Sequence, residues 1–142
     1  MPERAERSAR VKETILAFDF GLKRIGVAVG EAELGSSHPL PAVGNFAQIE
    51  KLVLEWRPAR FVVGLPVAEQ GAHPLARRVE RFARQLQGRF RLPVSRVDER
   101  FTSVEAESRL KALKTKSTLK KNVDSMAAQL ILEQYFNERE AA

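Results

Sequence analysis

Apolar positions along the chain switch between a period of two and a period near 3.6, and each switch marks an element. Residues 14–20 (TILAFDF) form a short apolar run with an aspartate near its end, the pattern of a buried strand. Residues 24–30 (RIGVAVG) alternate Ile25, Val27 and Val29 with Gly26, Ala28 and Gly30. That predicts a second strand, joined to the first by a hairpin over Gly21-Leu22-Lys23. Pro39-Leu40-Pro41-Ala42-Val43 allows only a short third strand, because proline has no N–H for a central ladder. Phe46, Ile49, Leu52, Val53 and Trp56 then recur at helical spacing, with Asn45 as N-cap and Pro58 as the stop.

Residues 60–64 (RFVVG) give another buried strand, running into Leu65-Pro66 and a polar loop through His73. Leu75, Val79, Phe82, Ala83 and Leu86 line one face of a second helix, closed by Gly88. Residues 93–97 (PVSRV) read as a strand ending at Asp98-Glu99-Arg100. Thr102 or Ser103 caps a helix carrying Val104, Leu110 and Leu113, and residues 114–121 (KTKSTLKK) form a basic loop. A last helix spans about Asn122 to Asn137. The order predicts an α/β fold, a mixed sheet with helices on its faces, in one domain over residues 14–138 behind a charged tail, 1–13.

Composition narrows the possibilities. The 142 residues contain no cysteine, which excludes disulfides, zinc–thiolate sites and a cysteine nucleophile. No apolar run approaches the roughly 18 residues of a membrane span. The charged start lacks a signal-peptide core, so a cytoplasmic chain is expected. A net charge of +6 favours polyanionic partners.

Three carboxylates stand where burial should discourage them. Asp19 ends the first apolar strand, Glu99 follows another beside Asp98, and Asp124 sits in the first turn of the last helix. In an open α/β sheet, sites form beyond the carboxyl ends of strands, where such oxygen ligands suit Mg²⁺ or Mn²⁺. Each also has an ordinary reading: Asp19 as a turn cap, Glu99 as the partner of Arg96 or Arg100, Asp124 as a complement to the helix dipole. Asp98 and Glu99 point to opposite faces if the strand continues, so at most one of them faces such a site. His38 and His73 fall in separate loops and do not form a ligand pair.

The segments AFDFGLKRIGVAVGE, FVVGLP, VDERFTS and NVDSMAAQLILEQYF, in that order, resemble the YqgF/RuvX family over about residues 14–137. The resemblance implies a ribonuclease-H-like fold and a metal-dependent nuclease, acting in 5′-end processing of 16S ribosomal RNA precursor or on Holliday junctions. Asp19 matches the family's first-strand aspartate, Glu99 the glutamate of its DER-T motif, and Asp124 the aspartate before its paired alanines, here Ala127 and Ala128. Ala17 replaces a usual glycine, and Gln70 stands where an aspartate usually precedes Gly71. Lys121 and Ala127 occupy positions where related resolvases carry a fourth carboxylate. In a two-metal scheme Asp19 would bridge the ions, with Glu99 and Asp124 each completing one sphere. The family's mechanism implies a 5′ phosphate and a 3′ hydroxyl as products.

Arg24, Arg100, Lys114, Lys116, Lys120 and Lys121 lie near these acids in sequence and are the expected phosphate contacts. Arg77, Arg78, Arg81 and Arg84 occupy the polar side of their helix and read as a solvated face. The expected partners are precursor ribosomal RNA or branched DNA, with ribosomal particles, for a monomer or a homodimer. One rival keeps the fold as a non-catalytic RNA-binding module in ribosome assembly; three retained acids argue against it. Another, an actin-like phosphotransferase, needs two such domains.

Overall fold

The computed structural model describes residues 13–67, 71–99 and 125–141. Its elements are β1 (Thr14–Phe20), β2 (Ile25–Glu31), β3 (Ser36–Val43), α1 (Phe46–Trp56), β4 (Arg60–Leu65), α2 (Ala76–Phe90), β5 (Val94–Asp98) and α3 (Met126–Ala141). The five strands form one mixed sheet in the order β3-β2-β1-β4-β5. The first three are antiparallel neighbours, while β4 runs parallel to both β1 and β5.

The period-two alternation separates two apolar layers. Leu16, Phe18, Val27, Val29, Phe61 and Val63 point to the side covered by α1 and α2, meeting Ile49, Val79, Phe82 and Leu86. Ile15, Ala17, Ala28, Val62 and Val97 point the other way, onto Ala128, Ile131, Leu132, Tyr135 and Phe136 of α3. Phe18 anchors the first layer, its ring centroid 5.7 Å from those of both Phe61 and Phe82. Burying an aromatic or aliphatic side chain of this size stabilises by about 1.5–3 kcal/mol. On the second side β2 presents Gly26, Ala28 and Gly30, and this lack of bulk lets α3 approach. A Cβ at Gly30 would collide with the Ser36 carbonyl and come within 2.8 Å of Leu132.

Asn45 caps α1 as predicted, its Oδ1 accepting the Gln48 N–H at 2.9 Å. The helix closes on Arg57 in the left-handed region (φ 46°), just before Pro58. Three boundaries depart from expectation. Strand β3 is eight residues long despite its prolines, because it lies at the sheet edge, where it needs a ladder on one side alone. Helix α2 runs through Gly88 to Phe90; Arg91 (φ 55°) takes the left-handed cap position assigned to Gly88. Helix α3 begins at Met126 and continues to Ala141, past the predicted end at Asn137. The predicted helix after Thr102 and the basic loop at 114–121 lie outside the described residues.

Candidate nuclease site

The carboxyl ends of β1, β4 and β5 lie side by side at one edge of the sheet, and this topology brings Asp19 to Glu99. Asp19 shares the α3 side with Ile15 and Ala17, and Glu99 continues the side of Val97. Strand β4 separates them. At the intervening position it offers Gly64, which leaves open the space the two side chains use. A Cβ there would lie 2.9 Å from both Cγ and Oε1 of Glu99 and would overlap Ile131. The Glu99 N–H donates to the Leu65 carbonyl at 3.0 Å, fixing the backbone just past β5.

Asp19 and Glu99 share a side-chain hydrogen bond. Two carboxyls can do so only if one keeps a proton. Burial, the neighbouring Asp19 charge and that bond push the Glu99 carboxyl up to about 8. Burial also raises Asp19, partly offset by the bond it accepts from Glu99. Burial and mutual repulsion thus raise both carboxyls, so that the two favour sharing one proton. Such a site favours positive charge: a cation replacing the proton would relieve both the repulsion and the cost of burial. The donors are all oxygen, which suits a hard divalent ion such as Mg²⁺ or Mn²⁺. Among the described residues no group of three or more His, Cys, Asp or Glu side chains could hold a metal ion.

Asp124, Arg100, Lys114, Lys116, Lys120 and Lys121 lie outside the described residues. The residue after Asp124 is informative, however. Ser125 is fully buried, the one polar side chain among the buried described residues, and its Oγ accepts the Val27 N–H at 2.9 Å. Val27 pairs with Phe18, one register step from the Asp19–Gly26 pair. The pairing of β2 with β3 shifts between Ile25 and Val27, where the serine enters. Nothing but a small polar residue ahead of a helix marked this serine in the sequence, where it resembles an ordinary cap.

Arg24 is exposed on the turn between β1 and β2, and with Lys23, Val43 and Gln48 it lines an open groove of about 480 Å³. The histidines take other roles. His38 lies on β3, its ring centroid 6.2 Å from that of Trp56, and His73 Nδ1 accepts the Leu75 N–H ahead of α2. Asp98 is the last residue of β5 and is exposed; its carbonyl accepts from Gln134. The alternation that turns Glu99 inward turns Asp98 away.

Comparison with known proteins agrees with this geometry. A family described as RuvX, Holliday junction resolvase, matches residues 13–138. A protein of Nitrosospira multiformis named for pre-16S rRNA nuclease activity is 46% identical, with 98% of each chain covered. One of the same name from Neisseria meningitidis serogroup C is 52% identical over 88% of each chain. Among solved structures, RuvC of Thermus thermophilus, in complex with a Holliday junction substrate, superposes with a TM-score of 0.57 at 16% identity, covering 89% of this chain and 96% of that one. Fowlpox virus resolvase gives the same TM-score at 11% identity, covering 89% and 98%. These likenesses fix the fold as ribonuclease-H-like.

Proposed function

The chain belongs to the RuvX family, and from that premise we propose that it is a metal-dependent nuclease that hydrolyses phosphodiesters at the 5′ end of 16S ribosomal RNA precursor. The observation that carries this reading is the juxtaposition of the buried Asp19 and Glu99 carboxyls across Gly64. A buried pair of carboxyls costs stability, so its presence at the open ends of three strands argues for chemistry. Asp124 is the proposed third ligand; its neighbour Ser125 is tied one register step from Asp19.

When bound, a divalent cation supplies charge neutralisation at phosphorus and activation of water. The chain's own residues do the rest. Asp19, set on the rigid central strand, fixes where negative charge stands relative to the sheet. Glu99, buried beside it, would hold a divalent cation together with Asp19. Gly64 keeps the space between them clear. Arg24, with Arg100 and the lysines of 114–121, is the proposed grip on the flanking phosphates. Hydrolysis would leave a 5′ phosphate and a 3′ hydroxyl.

A second reading, cleavage of four-way DNA junctions, is favoured by the family's own description. One experiment tests both. Purified protein is given labelled 16S precursor RNA and labelled junction DNA, with Mg²⁺, with Mn²⁺, or with EDTA. Cleavage of the precursor in metal and none in EDTA is expected. Asp19→Asn and Glu99→Gln should each lower the rate by at least about 100-fold, since even indirect partners of a metal site are worth 10–100-fold. Variants that cut as fast as the wild type would remove the site, and cleavage of the junction alone would replace the substrate.

A further inference from the structure

The chain's positive charge is concentrated on one helix. Residues 76–91, α2 and its cap, carry six arginines against one acid, Glu80, for a net charge of +5, so the remainder of the chain carries only +1 of the total +6. That single acid is held chiefly by Arg96 of β5, which takes both its oxygens at 2.7 and 2.9 Å, and it attracts Arg84 besides, leaving Arg77, Arg78, Arg81, Arg89 and Arg91 in excess on the helix and its cap. Arg77, Arg81 and Arg84 recur at i, i+4 and i+7, so they form one line along the helix. They are exposed, and they lie opposite the buried stripe of Val79, Phe82, Ala83 and Leu86. Arg78 flanks the line and Arg91 extends it past the last turn.

A merely solvated face would not be built this way. Natural helix surfaces mix both signs at i, i+4, whereas like charges at that spacing repel by a few tenths of a kcal/mol per pair. Arg77 and Arg78 also stand in the first turn, where the helix dipole disfavours cations, and that turn holds neither an acidic residue nor a side-chain cap. Each placement costs folding stability and each favours an anion outside the protein.

The topology says where that anion runs. Strand β4 ends at the carboxylate edge, and the chain enters β5 from the opposite edge, where Phe61 pairs with Val94. Helix α2 spans the crossover between them, so Arg77 stands toward the carboxylate edge and Arg91 toward the far one. The line is about 20 Å long at 1.5 Å per residue, the length of about six nucleotides of one strand of a double helix. It lies on the sheet face opposite α3, outside the pocket of Asp19 and Glu99.

We propose that this ridge is a second nucleic-acid surface, seating one phosphate backbone of a double-helical arm that leaves the cleavage site and follows α2 across the outer face. This inference deepens the nuclease reading by naming the substrate class: a structured nucleic acid with a duplex arm of at least about six base pairs flanking the scissile strand.

The test is equilibrium binding by fluorescence anisotropy of the full chain in EDTA, where no bond is cut, so that failure of the nuclease reading cannot mimic failure of this one. The probes are labelled hairpins with stems of 4, 8 and 12 base pairs and one common single-stranded tail, made as RNA and as DNA. Wild-type affinity should rise with stem length and level off beyond 8. In the Arg77→Gln/Arg81→Gln/Arg84→Gln variant that rise should disappear. Affinity for the longest stem should fall at least about tenfold near 0.1 M salt, and the slope of log K against log salt should become shallower by about 2 to 3. Lys51→Gln on α1 should keep the rise. Should the triple variant melt below the wild type, the single variants Arg77→Gln and Arg81→Gln, each expected to change the slope by about 1, decide the matter. A stronger effect on the RNA or the DNA series assigns the arm to that polymer. Unchanged affinity and slope in the variants would return the ridge to solvent, or to an acidic protein surface, and overturn the proposal.

Discussion

Burial, and then the facing Asp19 charge, raise the Glu99 carboxyl, and this has a measurable consequence for stability. The carboxyl rises from 4.5 to about 8 on folding, so between those values the native protein keeps a proton that the unfolded chain has released. Stability of the metal-free protein should therefore fall as pH rises through that window and level off above it. Thermal melts in EDTA from pH 5 to 9 should show this decline in the wild type and a flatter profile in Glu99→Gln. Millimolar Mg²⁺ or Mn²⁺ should raise the wild-type midpoint near pH 8 more than that of the variant. Ser125 supplies a second expectation at this scale. Ser125→Ala leaves the buried Val27 N–H without its acceptor, which should cost about 1–3 kcal/mol in denaturant melts. Asp19 and Glu99 were legible in the sequence because each is a charge at the end of an apolar run. Their hydrogen bond was not, since it depends on which strand stands between them. Ser125 was invisible for a related reason: its role is set by a register shift in a strand nearly a hundred positions away.

Elements carry the next layer. Gly64 works as part of β4, the strand both carboxylates straddle, and no local pattern distinguishes it from a weak spot in a strand. Gly64→Ala places a methyl group against Glu99 and Ile131, so it should destabilise by about 1–3 kcal/mol through overpacking and also displace Glu99. Its signature is a fall in cleavage rate larger than that of a control core variant of equal stability, such as a conservative Ile49→Val. The strand and helix periods were readable because each element buries one side, as the alternation of β2 shows: Ile25, Val27 and Val29 face α1 and α2, while the small residues between them admit α3. The boundaries that escaped are those decided by neighbours. Gly88 looked like a stop, yet the helix continues to Phe90, whose ring packs on Phe61 at 5.7 Å. The prolines of β3 looked like breakers, and only the strand order reveals that they stand on an edge strand.

At the scale of the molecule, Glu13 ties three distant segments at the edge away from the site. Its Oε1 lies 3.2 Å from Arg60 at the start of β4 and 3.3 Å from Arg139 near the end of α3. These groups are partly solvated, so Glu13→Gln should lower stability by less than about 1 kcal/mol, and the loss should shrink in 1 M salt. Denaturant melts at low and high salt check it.

The two margins of the sheet bear on how such a protein tolerates crowding. A cationic chain that collects on a polyanion meets other copies of itself at close range, where an open strand invites pairing with a neighbour. On one margin Pro39 and Pro41 withhold donors along β3, and on the other β5 is five residues long and carries the exposed Arg96. Among the described residues, both borders are thus poor templates for a second copy to extend. Molecules gathered on the same nucleic acid should therefore stay dispersed and exchangeable rather than knit into aggregates.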